Sequence, residues 1–111
     1  MTAPQTPRSP VPEEVGAELQ RVVQRWRQLP LDHALSYAGR VRALVQSLAD
    51  QVAEATGVRA SMVPDCGPAT LMDQLTVMVY DASAAAVSST RTSTLTSTLA
   101  QDLASLRRDL S

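Results

Sequence analysis

Lys, Asn, Ile and Phe are missing altogether from this 111-residue chain. All four have A/T-rich codons, so a GC-rich bacterial genome accounts for their absence before any functional reason does. Losing Lys does not make the chain acidic, because ten Arg stand against eleven Asp and Glu and leave a net charge of −1. So small a charge sets up no long-range field, and neither nucleic acid nor an anionic membrane is an expected partner. Three aromatic residues, Trp26, Tyr37 and Tyr80, are too few for a platform on which bases stack. The single cysteine, Cys66, excludes an internal disulfide and a multi-cysteine metal site. No apolar run approaches the ~18 residues of a membrane span, and no charged-then-apolar leader opens the chain, so a cytoplasmic location is expected. Glycine-rich phosphate loops, a Ser-His-Asp order and zinc-ligand spacings are absent too. No cofactor, metal or catalytic set is therefore implied, and the expectation is a protein without catalytic activity.

What is present is helical periodicity. Residues 1–12, MTAPQTPRSPVP, hold four prolines and no apolar repeat, which predicts a disordered arm. Residues 13–111 form one domain, large enough for a single core but of modest stability, so a homodimer is a reasonable expectation. A first helix is expected from near Pro12 to Leu29. Glu13, Glu14 and Glu18 suit its positive end, and Arg21, Arg25 and Arg27 its negative end. Its seam is Val15, Leu19, Val22, Trp26 and Leu29, at spacings of 4, 3, 4 and 3. Arg21 and Arg25 resemble a phosphate clamp in spacing, but charges on a wet face that match the dipole are the simpler account.

Pro30 ends that helix, and the next begins at Leu31 or Asp32. So short a link predicts an antiparallel hairpin of helices 1 and 2. The second helix has the strictest repeat: Leu31, Ala34, Ala38, Val41, Val45, Leu48, Val52 and Ala55, widened by Leu35 and Leu44, with Gly57 as the stop. Gly39 weakens it by ~1 kcal/mol relative to Ala, which marks tight packing or a kink. Residues 58–68, VRASMVPDCGP, are the one long connection, either a link crossing the bundle or a site. A third helix follows over Ala69–Val87, the most apolar stretch, with a thin polar stripe of Thr70, Asp73, Gln74 and Asp81. Such a helix is expected at the centre of a bundle. Its LTVMVY run is also compatible with a buried strand, but no other segment alternates to partner it. Residues 88–98 carry nine Ser or Thr in eleven positions and predict a loop, or a site of phosphorylation. The fourth helix is expected to start between Thr92 and Thr98, with Leu95, Leu99, Leu103, Leu106 and Leu110 as its seam. The expected architecture is all-α: a four-helix bundle made of the hairpin, a longer loop, then helices 3 and 4.

The candidate sites follow from this layout. Cys66 lies just before a helix start, where unpaired N–H groups stabilise a thiolate, so it is a candidate reactive thiol; a small buried side chain is the alternative. His33 falls away from the seam of helix 2 and reads as exposed, joined to Cys66 only if the fold brings them together. Asp73, Gln74 and Asp81 form the candidate polar stripe of the central helix. The two aspartates lie ~12 Å apart along the axis, too far for most paired-carboxylate hydrolysis. Arg40 and Arg42 are their expected ion-pair partners. No helix is basic enough along one face to serve as a DNA-recognition helix. Two functions are compatible with this. One is a protein–protein interaction, regulatory or accessory protein. The other is a ligand-binding or thiol-based sensor at the 58–68 loop, with weak catalysis at most.

Overall fold

A computed structural model describes residues 10–59, 61–87 and 92–110, and among these it is helical with no strand. Most of the expected arm and the start of the Ser/Thr run, residues 88–91, lie outside the described residues. Four helices follow in order: α1 (Glu13–Gln28), α2 (Leu31–Thr56), α3 (Leu71–Val87) and α4 (Thr92–Asp109). They form an all-α bundle around one apolar core to which every helix contributes.

Proline and glycine set the boundaries. Pro12 and Pro30 stand just before α1 and α2, both at φ near −60° with extended ψ, and their carbonyls accept from Gly16 N and Ala34 N at 2.9 Å. Proline's fixed φ prepares the turn into a helix, and the N–H it lacks has no helical use at that end. α2 ends on Gly57 in the left-handed region, φ 71°. Val58 N donates to Ala53 O at 3.0 Å and Gly57 N to Glu54 O at 3.4 Å, a Schellman closure that favours glycine. A 3-10 turn, Pro68–Thr70, leads into α3.

The helices pair in a way their seams do not announce. α1 packs chiefly on α4, and α2 on α3, while α1 and α2 are not substantial partners of each other. The expected hairpin is thus an elbow at Leu29–Pro30, both extended, from which each helix leaves to a different partner. The consequence is visible in the seam of α2. Ala34, Ala38, Val41, Leu44, Val45 and Leu48 are buried, but Leu31 and Leu35 stand 71% and 49% exposed because α1 does not fold back over them. Ala55 is exposed as well, since the 26-residue α2 outruns the 17-residue α3.

On the other side, Val15 and Val22 of α1 meet Leu99, Leu103, Leu106 and Leu110, in a core shared with Leu71, Leu75 and Val79 of α3. Fully burying a Val or Leu side chain is worth ~1.5–3 kcal/mol, so these seams supply most of the stability. Residues 92–98 are helical despite their Ser and Thr, because burying the leucines that follow outweighs propensity deficits of a few tenths of a kcal/mol per residue. α4 thus starts at Thr92, the early end of its expected range. No helix among the described residues is long and apolar enough to cross a membrane.

Candidate functional site

The connection from α2 to α3 is a strap. Gln46 Nε2 donates to Ser61 O at 3.0 Å, and Val63 N donates to Gln46 Oε1 at 2.8 Å. One carboxamide thus holds the backbone on both sides of Met62, as a neighbouring strand would. The same Nε2 also donates to Asp50 at 2.9 Å, which fixes the amide's orientation. Arg42 Nη2 then meets Asp65 Oδ1 at 3.2 Å, and Gln74 Nε2 of α3 donates to Pro64 O at 2.9 Å. As the strap advances from 61 to 65, its anchors on α2 step back from 46 to 42. It therefore runs back toward the start of α2, and α3 begins beside Leu31 and Ala34, with which Ala69, Met72 and Asp73 line a cleft. α2 and α3 leave from the same end in the same direction, so the long connection is the link that crosses the bundle.

Val63 is the strap's plug, half-buried against the core between α2 and α3. Its neighbours Ser61, Met62, Pro64, Asp65 and Cys66 are exposed, Met62 by 86%. A groove flanks the plug on each side. The first, of about 470 Å³, has Gly39, Arg42, Ala43 and Gln46 as floor and Met62–Asp65 as wall. The second, of about 360 Å³ and mostly apolar, lies between Val63, Cys66, Thr70, Gln74, Val77 and Met78. Both volumes fall at the small end of the ~300–1,000 Å³ usual for ligand sites.

The candidate residues divide as follows. Cys66 is exposed on the wall of the second groove and is not a buried hydrophobe. The N–H of the next residue, Gly67, donates to Asp65 Oδ1 at 3.0 Å. Gly67 itself has φ 90°, a backbone only glycine adopts without strain, and this turns the strap into α3. His33 packs its ring on Tyr37 at 5.4 Å between centroids. No group of three His, Cys, Asp or Glu that would hold a metal occurs among the described residues.

The polar stripe of α3 divides between the strap and water. Thr70 Oγ1 donates to Gly67 O at 3.0 Å, Gln74 holds Pro64, and Asp81 is half-buried, whereas Asp73 is exposed. The open face of α3 joins Asp73 to Thr76, Val77 and Tyr80, with Val77 and Tyr80 each about half exposed. α3 touches all three other helices, as α4 also does, and this face of α3 stays uncovered.

The expected ion pairs of Arg40 and Arg42 with Asp73 and Asp81 are corrected by the structure. Arg40 Nε meets Asp109 of α4 at 3.3 Å, and Arg42 takes Asp65. Residues two positions apart on a helix point ~160° from each other, so these arginines serve different neighbours. Arg42 Nε is buried beside the strap with no hydrogen-bond partner among the described residues.

Away from the strap, a second set of polar contacts ties α1 to α4. Glu18 accepts from Arg107 Nε at 2.8 Å and from Arg21 Nη1 at 3.0 Å, and Arg25 Nε donates to Leu110 O at 2.9 Å. The hydrogen bond from Arg107 holds the Glu18 carboxyl below its ordinary value. Partial desolvation opposes it, and the charges of Arg107 and Arg21 add to it. Arg25 thus acts on the end of α4, while Arg21 stays exposed and pairs with Glu18 one turn away on its own helix. In comparisons with protein-family models, curated proteins and solved structures, the chain matches none.

Proposed function

We propose that this chain is a helical interaction protein that binds an apolar segment of a partner protein on the strap side of the bundle. The observation that carries the reading is the apolar surface left open there. Val77 and Tyr80 stand one turn apart on α3, Val77 lines the groove with Val63 and Met78, and Met62 projects from the strap. Single exposed apolar residues are ordinary, but a contiguous set beside a groove is how protein-binding surfaces are built.

The test compares Val77→Glu/Tyr80→Glu with Leu31→Glu, which removes an even more exposed apolar side chain at the elbow. Extracts of the native host are passed over each tagged protein and retained proteins are quantified, with circular dichroism to check folding. The reading expects a partner held by wild type and by Leu31→Glu whose recovery drops at least tenfold with the double variant. Recovery that is equal across all three rejects the strap side as the binding surface.

A second reading has its own observation: an exposed thiol on the wall of a small apolar groove fits a ligand or redox-sensing site at Cys66. Iodoacetamide labelling faster than that of a free thiol, slowed by a groove ligand, supports it. Labelling at the free-thiol rate removes it.

A further inference from the structure

Arg42 is an anchor of the strap by distance and an opponent of it by energy. The strap places one side chain against the core, Val63, while the seam beneath it, Val41, Val45 and Leu48 with Leu71, Leu75 and Val79, is buried in its own right. Its other holds are the amide bonds of Gln46 and Gln74 and the ion pair of Arg42 with Asp65. That pair is a weak hold, because both side chains are well exposed and a pair in water returns little. Met62–Asp65 wall the groove that Arg42 floors, and there Arg42 Nε is buried with no hydrogen-bond partner among the described residues. An N–H of a charged group that has lost water and gained no acceptor costs more than an exposed ion pair returns. On balance Arg42 works against the closed strap.

We propose that residues 61–65 are a lid that lifts while the four helices stay packed, and that Arg42 sets how readily it lifts. Gly57 and Gly67 bracket the lid, both at positive φ, so the backbone at its two ends is the least restricted. Lifting returns Arg42 Nε to water and withdraws Val63. Among the described residues, Val63 and Gln74 alone line both grooves, so without Val63 the two join into one that runs from Gly39 on α2 to Val77 on α3. Resting on the reading that a partner's apolar segment binds on this side, the lid is the regulation of that site. Closed, it leaves the partner Val77 and Tyr80. Open, it adds the seat of Val63, and the freed amides of Gln46 and Gln74 meet an extended backbone as they met the strap's.

Native-state hydrogen exchange at the Val63 N–H, which donates to Gln46, reads the opening directly. In the wild-type chain Val63 is expected to exchange at least 100-fold faster than Leu75 and Leu103, at a rate that urea below the unfolding transition leaves unchanged within twofold. Arg42→Met keeps an apolar stem and removes the unpaired donor, and is expected to slow Val63 exchange at least threefold. Asp65→Asn removes only the exposed ion pair and is expected to change it less than twofold. Exchange of Val63 at the rate of Leu75 and Leu103 overturns the lid. So does an Arg42→Met chain in which Val63 exchanges no more slowly than in wild type.

The regulatory role is scored apart from the partner reading. A protein retained by wild type and lost with Val77→Glu/Tyr80→Glu is expected to be recovered less with Arg42→Met. Recovery that falls with the double variant but not with Arg42→Met overturns the lid's control of the site. Recovery that the double variant leaves unmoved rejects the partner reading, and the exchange rates still decide the lid.

Discussion

The two sides of the bundle are held in different ways. Where α1 meets α4, Val15, Val22, Leu103, Leu106 and Leu110 are fully buried, and Glu18, Arg107 and Arg25 lock the rim. Where α2 meets α3, the seam is also apolar, but its outer face is covered by a strap that inserts only Val63 and is fixed by side-chain amides gripping its backbone. Both seams are closed by burial, which is non-directional and hard to undo. The strap over the second is held by a few hydrogen bonds worth ~0.5–1.5 kcal/mol each, which a competing peptide backbone would reproduce. Stability belongs to the two seams and the candidate site to the strap.

The sharpest way to break this contrast is to damage each side in turn. Leu106→Ala should cost about 2–5 kcal/mol in urea unfolding, since a fully buried leucine leaves a cavity. Gln46→Ala should cost under about 1.5 kcal/mol globally but raise amide exchange at Val63 at least tenfold, because the strap opens locally. Equal global losses from the two would mean the strap belongs to the cooperative core.

Gly39→Ala has the next largest effect, and of opposite sign. A methyl group there meets nothing within 4 Å, so the variant should be more stable by about 0.5–1 kcal/mol. Tight packing within the chain does not explain this glycine. Since Gly39 floors the first groove, a variant that is more stable yet binds a partner less well would place that partner's contact there.

The smallest effect tests the locked rim. The Glu18 carboxyl is held low in the folded state, so its contribution is full above the unfolded value of ~4.3 and is lost as pH falls through the folded value. Glu18→Gln should lower stability at neutral pH by under about 1 kcal/mol, and the gap to wild type should vanish in acid. A gap that persists at low pH would assign the loss to packing instead.

Periodicity made the helices legible. The seam of α1, the middle of the α2 seam from Ala34 to Leu48, Leu99 to Leu110 of α4 and the stop at Gly57 are local properties of the chain and lie where the spacing puts them, while a 3-10 turn over Pro68–Thr70 stands where α3 was expected to begin. Pairing was not legible, because an apolar stripe of 3.6-residue period fits any other. The partners of the polar stripe of α3 were not legible for a related reason: Thr70 and Gln74 meet the strap's carbonyls while Asp73 meets water, and sequence spacing does not tell a carbonyl from water. Gln46 was missed altogether. Its only signal was a polar residue one position from the seam, facing the single long connection, and that position was not weighed.

The elbow at Pro30 also bears on synthesis. Because α1 and α2 are not substantial partners of each other, a nascent chain that has completed both has nothing against which to fold. The roughly forty residues from Gly57 to Leu99 take about 2–8 s to add at ~5–20 residues per second. For that interval the faces of Val15, Val22, Val41 and Leu48 are bare on the ribosome, within reach of chaperones and of neighbouring nascent copies on the same message.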